Sequence, residues 1–206
     1  MESQNSLGGT PKRQDGDMAY FVVLLRAVNI GPGLRVTSAD LRGAAEDAGL
    51  GAARTLLNSG NLVVTTDTTG TTGATGATQA ADIARRVQEC LSARVGQPVA
   101  AVGLSAERLE EIALANPFSA AARDDPSHLQ VHVPLGDLDE PGIARLDLAN
   151  PGRELLATAA GVLYVHYVDG IGRSKLTPKI VDRAAGGPTT ARNWNTISKL
   201  RAACAP

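Results

Sequence analysis

Aromatic side chains are nearly absent: Phe, Tyr and Trp make up 3% of the 206 residues. A core must therefore be aliphatic, built mainly from Ala, Val and Leu, and a surface that stacks nucleic-acid bases has few rings to use. Cysteine is scarce too. Cys90 and Cys204 lie far apart and neither belongs to a CxxC pair. That excludes a disulfide framework and points to a reducing, cytoplasmic setting. Each falls on the apolar side of a predicted helix, where a small buried hydrophobe belongs. No charge sign dominates, since 20 Lys and Arg against 21 Asp and Glu leave a formal net charge of −1. A broad nonspecific nucleic-acid surface is disfavoured, although a local basic patch is compatible with this balance. No apolar run approaches the roughly 20 residues that cross a bilayer, so no membrane partner is expected. Residues 1–17 (MESQNSLGGTPKRQDGD) contain no segment resembling a signal peptide. They read as a disordered tail or an appended extension, with the fold starting near Met18.

What is present has a clear rhythm. Ala19–Val28 (AYFVVLLRAV) is almost continuously apolar, the pattern of a strand buried on both faces. After the turn-rich loop Asn29–Val36, Thr37 and Asp40 form a capping-box pattern that opens a helix, and Gly49 is placed to end it. Two short β-like runs, Arg54–Leu57 and Leu62–Thr66, flank the turn composition Asn58–Asn61 and suggest a hairpin. Asp67–Thr78 is a Thr/Gly/Ala stretch read as a mobile loop. A helix to about Val95 follows, then a strand over Pro98–Leu104. Ser105 caps a further helix, with Leu104 and Leu109 as a hydrophobic staple.

The order then restarts. His128–Val133 predicts a strand, Glu140–Ala149 a helix, and Leu155–Ala159 and Val162–Val168 a pair of strands around Ala160 and Gly161. Thr177 and Pro178 start a helix as cap and N1 proline. A short segment leads to a last helix, Trp194–Ala203. The expected fold is α+β: two ferredoxin-like halves of β-α-β-β-α-β type, over 18–104 and 105–206, packed together with an extra C-terminal helix.

Four groups of residues are candidates for function. Arg26, Asn29, Gly31 and Arg35 surround a glycine-containing loop that leads into a helix N-terminus, where backbone N–H groups can hold an anion. Alternatively Arg26 satisfies loop carbonyls or an internal carboxylate. Asn58–Asn61 is either a turn needing positive φ or a polar recognition element. In a ferredoxin-like half it is expected at the sheet edge opposite Asn29, so the two should not share a site. Lys175, Arg192, Asn193, Trp194, Asn195 and Lys199 form the third group. They read as a small anion or nucleotide site with Trp194 as a stacking face, or as a cap, Asn193 or Asn195, and an aromatic anchor, Trp194, for the last helix. His128 and His132 share a strand face with Gln130. A solvated face is the simpler reading, because metal ligation needs a third ligand and none is indicated.

There is no GxSxG, no HExxH and no P-loop ending, so no metal, cofactor or nucleophile is indicated and catalysis is left open.

The segments Leu24–Gly31 (LLRAVNIG), Leu57–Val64 (LNSGNLVV), Asn116–Phe118, Gly170–Thr177 (GIGRSKLT) and Thr190–Leu200 (TARNWNTISKL) together resemble the domain of unknown function 1697 family of bacterial proteins. The resemblance implies an α+β fold and carries no established activity. The chain departs from the family pattern at Ala27, where glycine is usual, and at Pro32–Leu34, where the family loop is more basic and richer in glycine. The functional expectation is a binding protein for a small anionic ligand, a nucleotide or phosphorylated metabolite. The alternatives are an interaction module acting as a homodimer, because the doubly apolar first strand needs cover from the other half or another subunit, and an enzyme using Lys175 or Arg192 to stabilise charge.

Overall fold

The computed structural model describes residues 18–30, 33–57, 60–67 and 76–205. The expected tail over 1–17, most of the Thr/Gly/Ala loop, Gly31 and the turn residues Asn58 and Ser59 lie outside the described residues. The architecture is mixed α+β, with two four-stranded antiparallel sheets and seven α-helices among the described residues.

The first sheet has the order β2-β3-β1-β4, from β1 (Met18–Arg26), β2 (Ala52–Thr55), β3 (Asn61–Asp67) and β4 (Ala100–Ser105). Two helices, α1 (Ser38–Asp47) and α2 (Gly76–Val95), cover one of its faces. The second sheet, β6-β7-β5-β8, uses β5 (Leu129–Pro134), β6 (Leu155–Ala159), β7 (Val162–His166) and β8 (Thr189–Asn193). Its outer face packs on α5 (Glu140–Ala149) and α6 (Pro178–Ala184). Between the sheets lie α3 (Ala106–Leu114) and α7 (Trp194–Cys204), while α4 (Ser119–Asp124) leads into β5.

The two-residue period of β1 explains its apolar run. Phe21, Val23 and Leu25 enter the core under α1 and α2, whereas Val22 and Leu24 enter the core between the sheets. Leu109 and Ile112 of α3, Val131 and Val133 of β5, and Ile197 and Leu200 of α7 complete that second core. The second face of β1 is thus covered within the chain, and the strand by itself calls for no second subunit.

The helix starts follow the capping chemistry. Thr37 and Asp40 exchange side-chain and backbone hydrogen bonds in a full capping box. The Ser105 and Thr177 hydroxyls accept from the N–H groups of Arg108 and Ile180.

The segment before the last helix, given no element of its own from the sequence pattern, is the closing strand that the expected β-α-β-β-α-β order requires, β8. Its sequence Thr-Thr-Ala-Arg-Asn shows no apolar alternation, because its inward side chains Thr190 and Arg192 are polar and are satisfied by hydrogen bonds. The expected solvated face on β5 is overturned. His132 is only 5% exposed, because the face opposite Val131 and Val133 is covered by helices too.

The contact of α2 with β4 depends on Gly103, where an added Cβ would lie 2.0 Å from the carbonyl oxygen of Ala80. Backbone cannot yield as a side chain tip can. Gly103→Ala is expected to lower unfolding stability by about 1–3 kcal/mol, measured by urea denaturation. An unchanged midpoint would contradict this packing.

Candidate functional site

The end of β1 is the meeting point of three of the segments singled out in the sequence. Because β1 and β3 are antiparallel neighbours, the end of one lies beside the start of the other, with Leu24 opposite Asn61 and the N–H of Leu25 donating to the carbonyl of Gly60 at 2.8 Å. Asn29 and Gly60 therefore share one region, and both line a cavity of about 530 Å³. The expectation of opposite edges was wrong because it overlooked that antiparallel pairing.

Arg192 reaches this point from β8. Its parity on the strand matches Thr190, and both face the first sheet. Nε donates to Oδ1 of Asn61. Nη1 donates to Oγ1 of Thr190 at 2.9 Å and to the carbonyl of Ala191 at 2.8 Å. Nη2 donates to the carbonyls of Leu25 at 2.8 Å and Gly60 at 3.2 Å. A guanidinium has five N–H bonds, and all five are used. Among the described residues no carboxylate pairs with it, so burial pushes its pKa down to about 10, which still leaves it a cation at neutral pH. Thr190 adds a bond from its hydroxyl to the same Leu25 carbonyl at 3.0 Å. Asn61, itself fully buried, donates from Nδ2 to Leu56 at 2.9 Å.

Arg26, the last residue of β1, also crosses to the second sheet. It pairs with Asp182 of α6 at 2.5 Å and donates from Nε to the carbonyl of Thr189 at 3.1 Å. Asp182 accepts in addition from the N–H and hydroxyl of Thr189, at 2.8 and 3.0 Å. Asn29 folds its loop back by exchanging side-chain bonds with both backbone groups of Val36, at 2.9 Å each. At the start of α1 the carboxylate of Asp40 occupies the N–H of Thr37. The Thr37 hydrogen bonds hold the Asp40 carboxyl below the usual carboxylate range, so this helix start already carries an anion.

Asn193 caps α7, its Oδ1 accepting from the N–H and hydroxyl of Thr196 at 3.0 and 2.8 Å. Trp194 is half-buried against the core between the sheets. Lys175, Asn195 and Lys199 are exposed, and their side chains make no hydrogen bond or ion pair among the described residues.

Two more cavities flank the Val28–Ile30 loop. One, of about 330 Å³, touches Asn29, Arg192 and Asn193. The other, of about 320 Å³, lies where β1, β5, β8 and the loop before α6 meet, and is lined by Arg26, Ile30, His132, Tyr167, Leu176, Thr189 and Arg192 among others. Arg26 and Arg192 are thus brought together, whereas Lys175 lines a separate cavity of about 290 Å³ beside Arg153 and Glu154.

Sequence reasoning missed Asp182, Thr189 and Tyr167, and placed His132 in solvent. Burial lowers the His132 pKa to about 4, so the imidazole is neutral at pH 7. The other two histidines, His128 and His166, both bond Asp125, at 3.1 and 3.0 Å. The bond from His166, more than that from His128, holds the Asp125 carboxyl below its ordinary range. No group of three His, Cys, Asp or Glu suited to a metal occurs among the described residues.

These features define an α+β protein whose two sheets are joined by a buried arginine and bordered by a junction cavity. The chain belongs to the family described as "Protein of unknown function (DUF1697)", whose model matches residues 18–164. No curated protein matches it. Among solved structures it is similar to the conserved bacterial protein SP0830 from Streptococcus pneumoniae, with a TM-score of 0.65 and 18% sequence identity over 91% of this chain and 99% of that one. At that identity the likeness shows a shared fold.

Ala27, one of the two departures from the family pattern, has φ 54°, in the left-handed region that favours glycine and strains an L side chain. Ala27→Gly is expected to raise stability by about 1 kcal/mol, read as a melting point about 2–4 °C higher. A lower melting point would contradict strain at this position.

Proposed function

We propose that the protein binds a small anionic molecule in the cavity between its two halves, 18–104 and 105–206, each a ferredoxin-like unit. The fold part is supported by the order β-α-β-β-α-β in both halves and by the matching strand orders of the two sheets. The functional part rests on one observation: the lining of the junction cavity contains two arginines and no carboxylate. Arg192 has no free donor, but its charge remains and is compensated only by dipoles. Arg26 is partly exposed, with its side chain at 31%.

The lip of the cavity is the loop that contributes Ser174 and Thr177. Arg173 and Lys175 of the same loop line the neighbouring cavity of about 290 Å³, beside Glu154 and Asp169. A ligand entering the junction cavity meets the Arg26 guanidinium, hydroxyls and an apolar wall, the usual composition of a small-molecule site. Nucleoside monophosphates, sugar phosphates and aromatic carboxylates fit that description. The two widely separated, unpaired cysteines are consistent with a reducing, cytoplasmic setting.

A thermal-shift panel of these three ligand classes at millimolar concentration tests the reading. Ligand at about 100 times its Kd should add about 2.7 kcal/mol, or roughly 5–10 °C for a chain of this size. Arg26→Gln should reduce the shift. A flat response across the panel would contradict the proposal.

A further inference from the structure

We infer that the molecule bound in this cavity presents an uncharged hydrogen-bond donor, a hydroxyl or ring N–H on a planar one- or two-ring body, to Nε2 of His132. This rests on the anionic-ligand reading above and specifies its chemistry.

Nε2 of His132 is the single buried side-chain nitrogen or oxygen without a partner among the described residues. Leaving such a group unpaired costs about 1–3 kcal/mol. A purely structural position on this covered strand face would be filled without that cost by an apolar side chain. His132 also lines the junction cavity.

Its neighbours fix what Nε2 can do. The Thr189 hydroxyl has one proton, and lies 3.0 Å from the Asp182 carboxylate, which already pairs with Arg26. That proton goes to Asp182, leaving the Thr189 oxygen as an acceptor toward Nδ1 of His132 at 3.4 Å. The neutral imidazole has a single N–H, so it sits on Nδ1, and Nε2 is a bare lone pair. The relay Arg26–Asp182–Thr189–His132 thus sets the tautomer. A bare lone pair repels a carboxylate or phosphate oxygen and accepts from O–H or N–H. The anionic part of the ligand belongs with Arg26, and its neutral donor with His132.

The walls describe the body that joins the two. Tyr167, Leu176 and Pro178 line the cavity, and its two isoleucines, Ile30 and Ile171, are 70% and 55% exposed. A flat ring would cover them.

Three probes separate the claims: 4-hydroxybenzoate carries donor and anion, 4-methoxybenzoate lacks the donor, and 4-methoxyphenol lacks the anion. In the wild-type chain labelled with 15N-histidine, long-range 1H–15N spectra should show His132 with Nε2 bare, assigned by its loss in His132→Phe. 4-Hydroxybenzoate should bind at least about tenfold more tightly than 4-methoxybenzoate and shift the Nε2 resonance. In His132→Phe the two should bind within about twofold of each other.

A protonated Nε2, or equal affinity for 4-hydroxybenzoate and 4-methoxybenzoate, overturns the donor contact and leaves the anionic reading in place. Equal affinity for 4-hydroxybenzoate and 4-methoxyphenol overturns the anionic reading and leaves the donor contact. Binding of none of the three overturns both. If His132→Phe does not fold, the wild-type probe comparison and the tautomer decide.

Discussion

A buried cation without a carboxylate is the constraint around which this molecule is arranged. Arg192 can stay charged only if every N–H finds an oxygen, and the oxygens come from β1, from β3 and the residue just before it, and from β8. The carbonyls of Leu25 and Gly60 are available because they lie at the end of β1 and the start of β3. Asn61 is available because it faces the second sheet, on the same side as Val63, while Leu62 and Val64 face α1 and α2. Removing one member leaves a charge or a carbonyl unsatisfied in a dry interior, where such losses reach several kcal/mol. The arginine therefore specifies how the sheets meet as much as it holds them.

Arg26 forms a second, wetter link between the same elements. It enters from β1 at the edge of the junction and engages Asp182 and Thr189. The two arginines bracket β8, one satisfied wholly by neutral groups and one by a carboxylate. The 320 Å³ cavity opens beside them. The links that join the sheets thus also set the charge of its lining and the tautomer of its histidine, so sheet docking and site chemistry are coupled through Asp182 and Thr189.

Much of the fold was legible because it is written in local chemistry. The caps at Thr37, Ser105 and Thr177 and the apolar alternation of β1 depend on neighbours a few residues away. Asn193 was legible as one of two caps, and Arg26 as a candidate for an internal carboxylate. The failures share a physical cause. β8 has a polar inward face whose partners lie about 130 to 165 residues earlier, so no period betrays it. His132 looked solvated because its strand alternates, and only knowing that helices cover both faces of the second sheet would bury it. The meeting of Asn29 with Gly60 follows from antiparallel pairing of β1 with β3, which sequence order alone leaves open. Arg192 looked like a ligand cation because a charge satisfied entirely by carbonyls has no sequence signature.

A double-mutant cycle between Arg192 and Asn61 tests the central claim most directly. Arg192→Lys keeps the charge but loses the Nε donor and the fork, Asn61→Leu removes the acceptor with similar shape, and unfolding in urea gives the four free energies. Each single change should destabilise, and the pair should cost less than the sum by about 1–2 kcal/mol. Additivity within a few tenths of a kcal/mol would mean that this contact does not join the sheets, and would contradict the account.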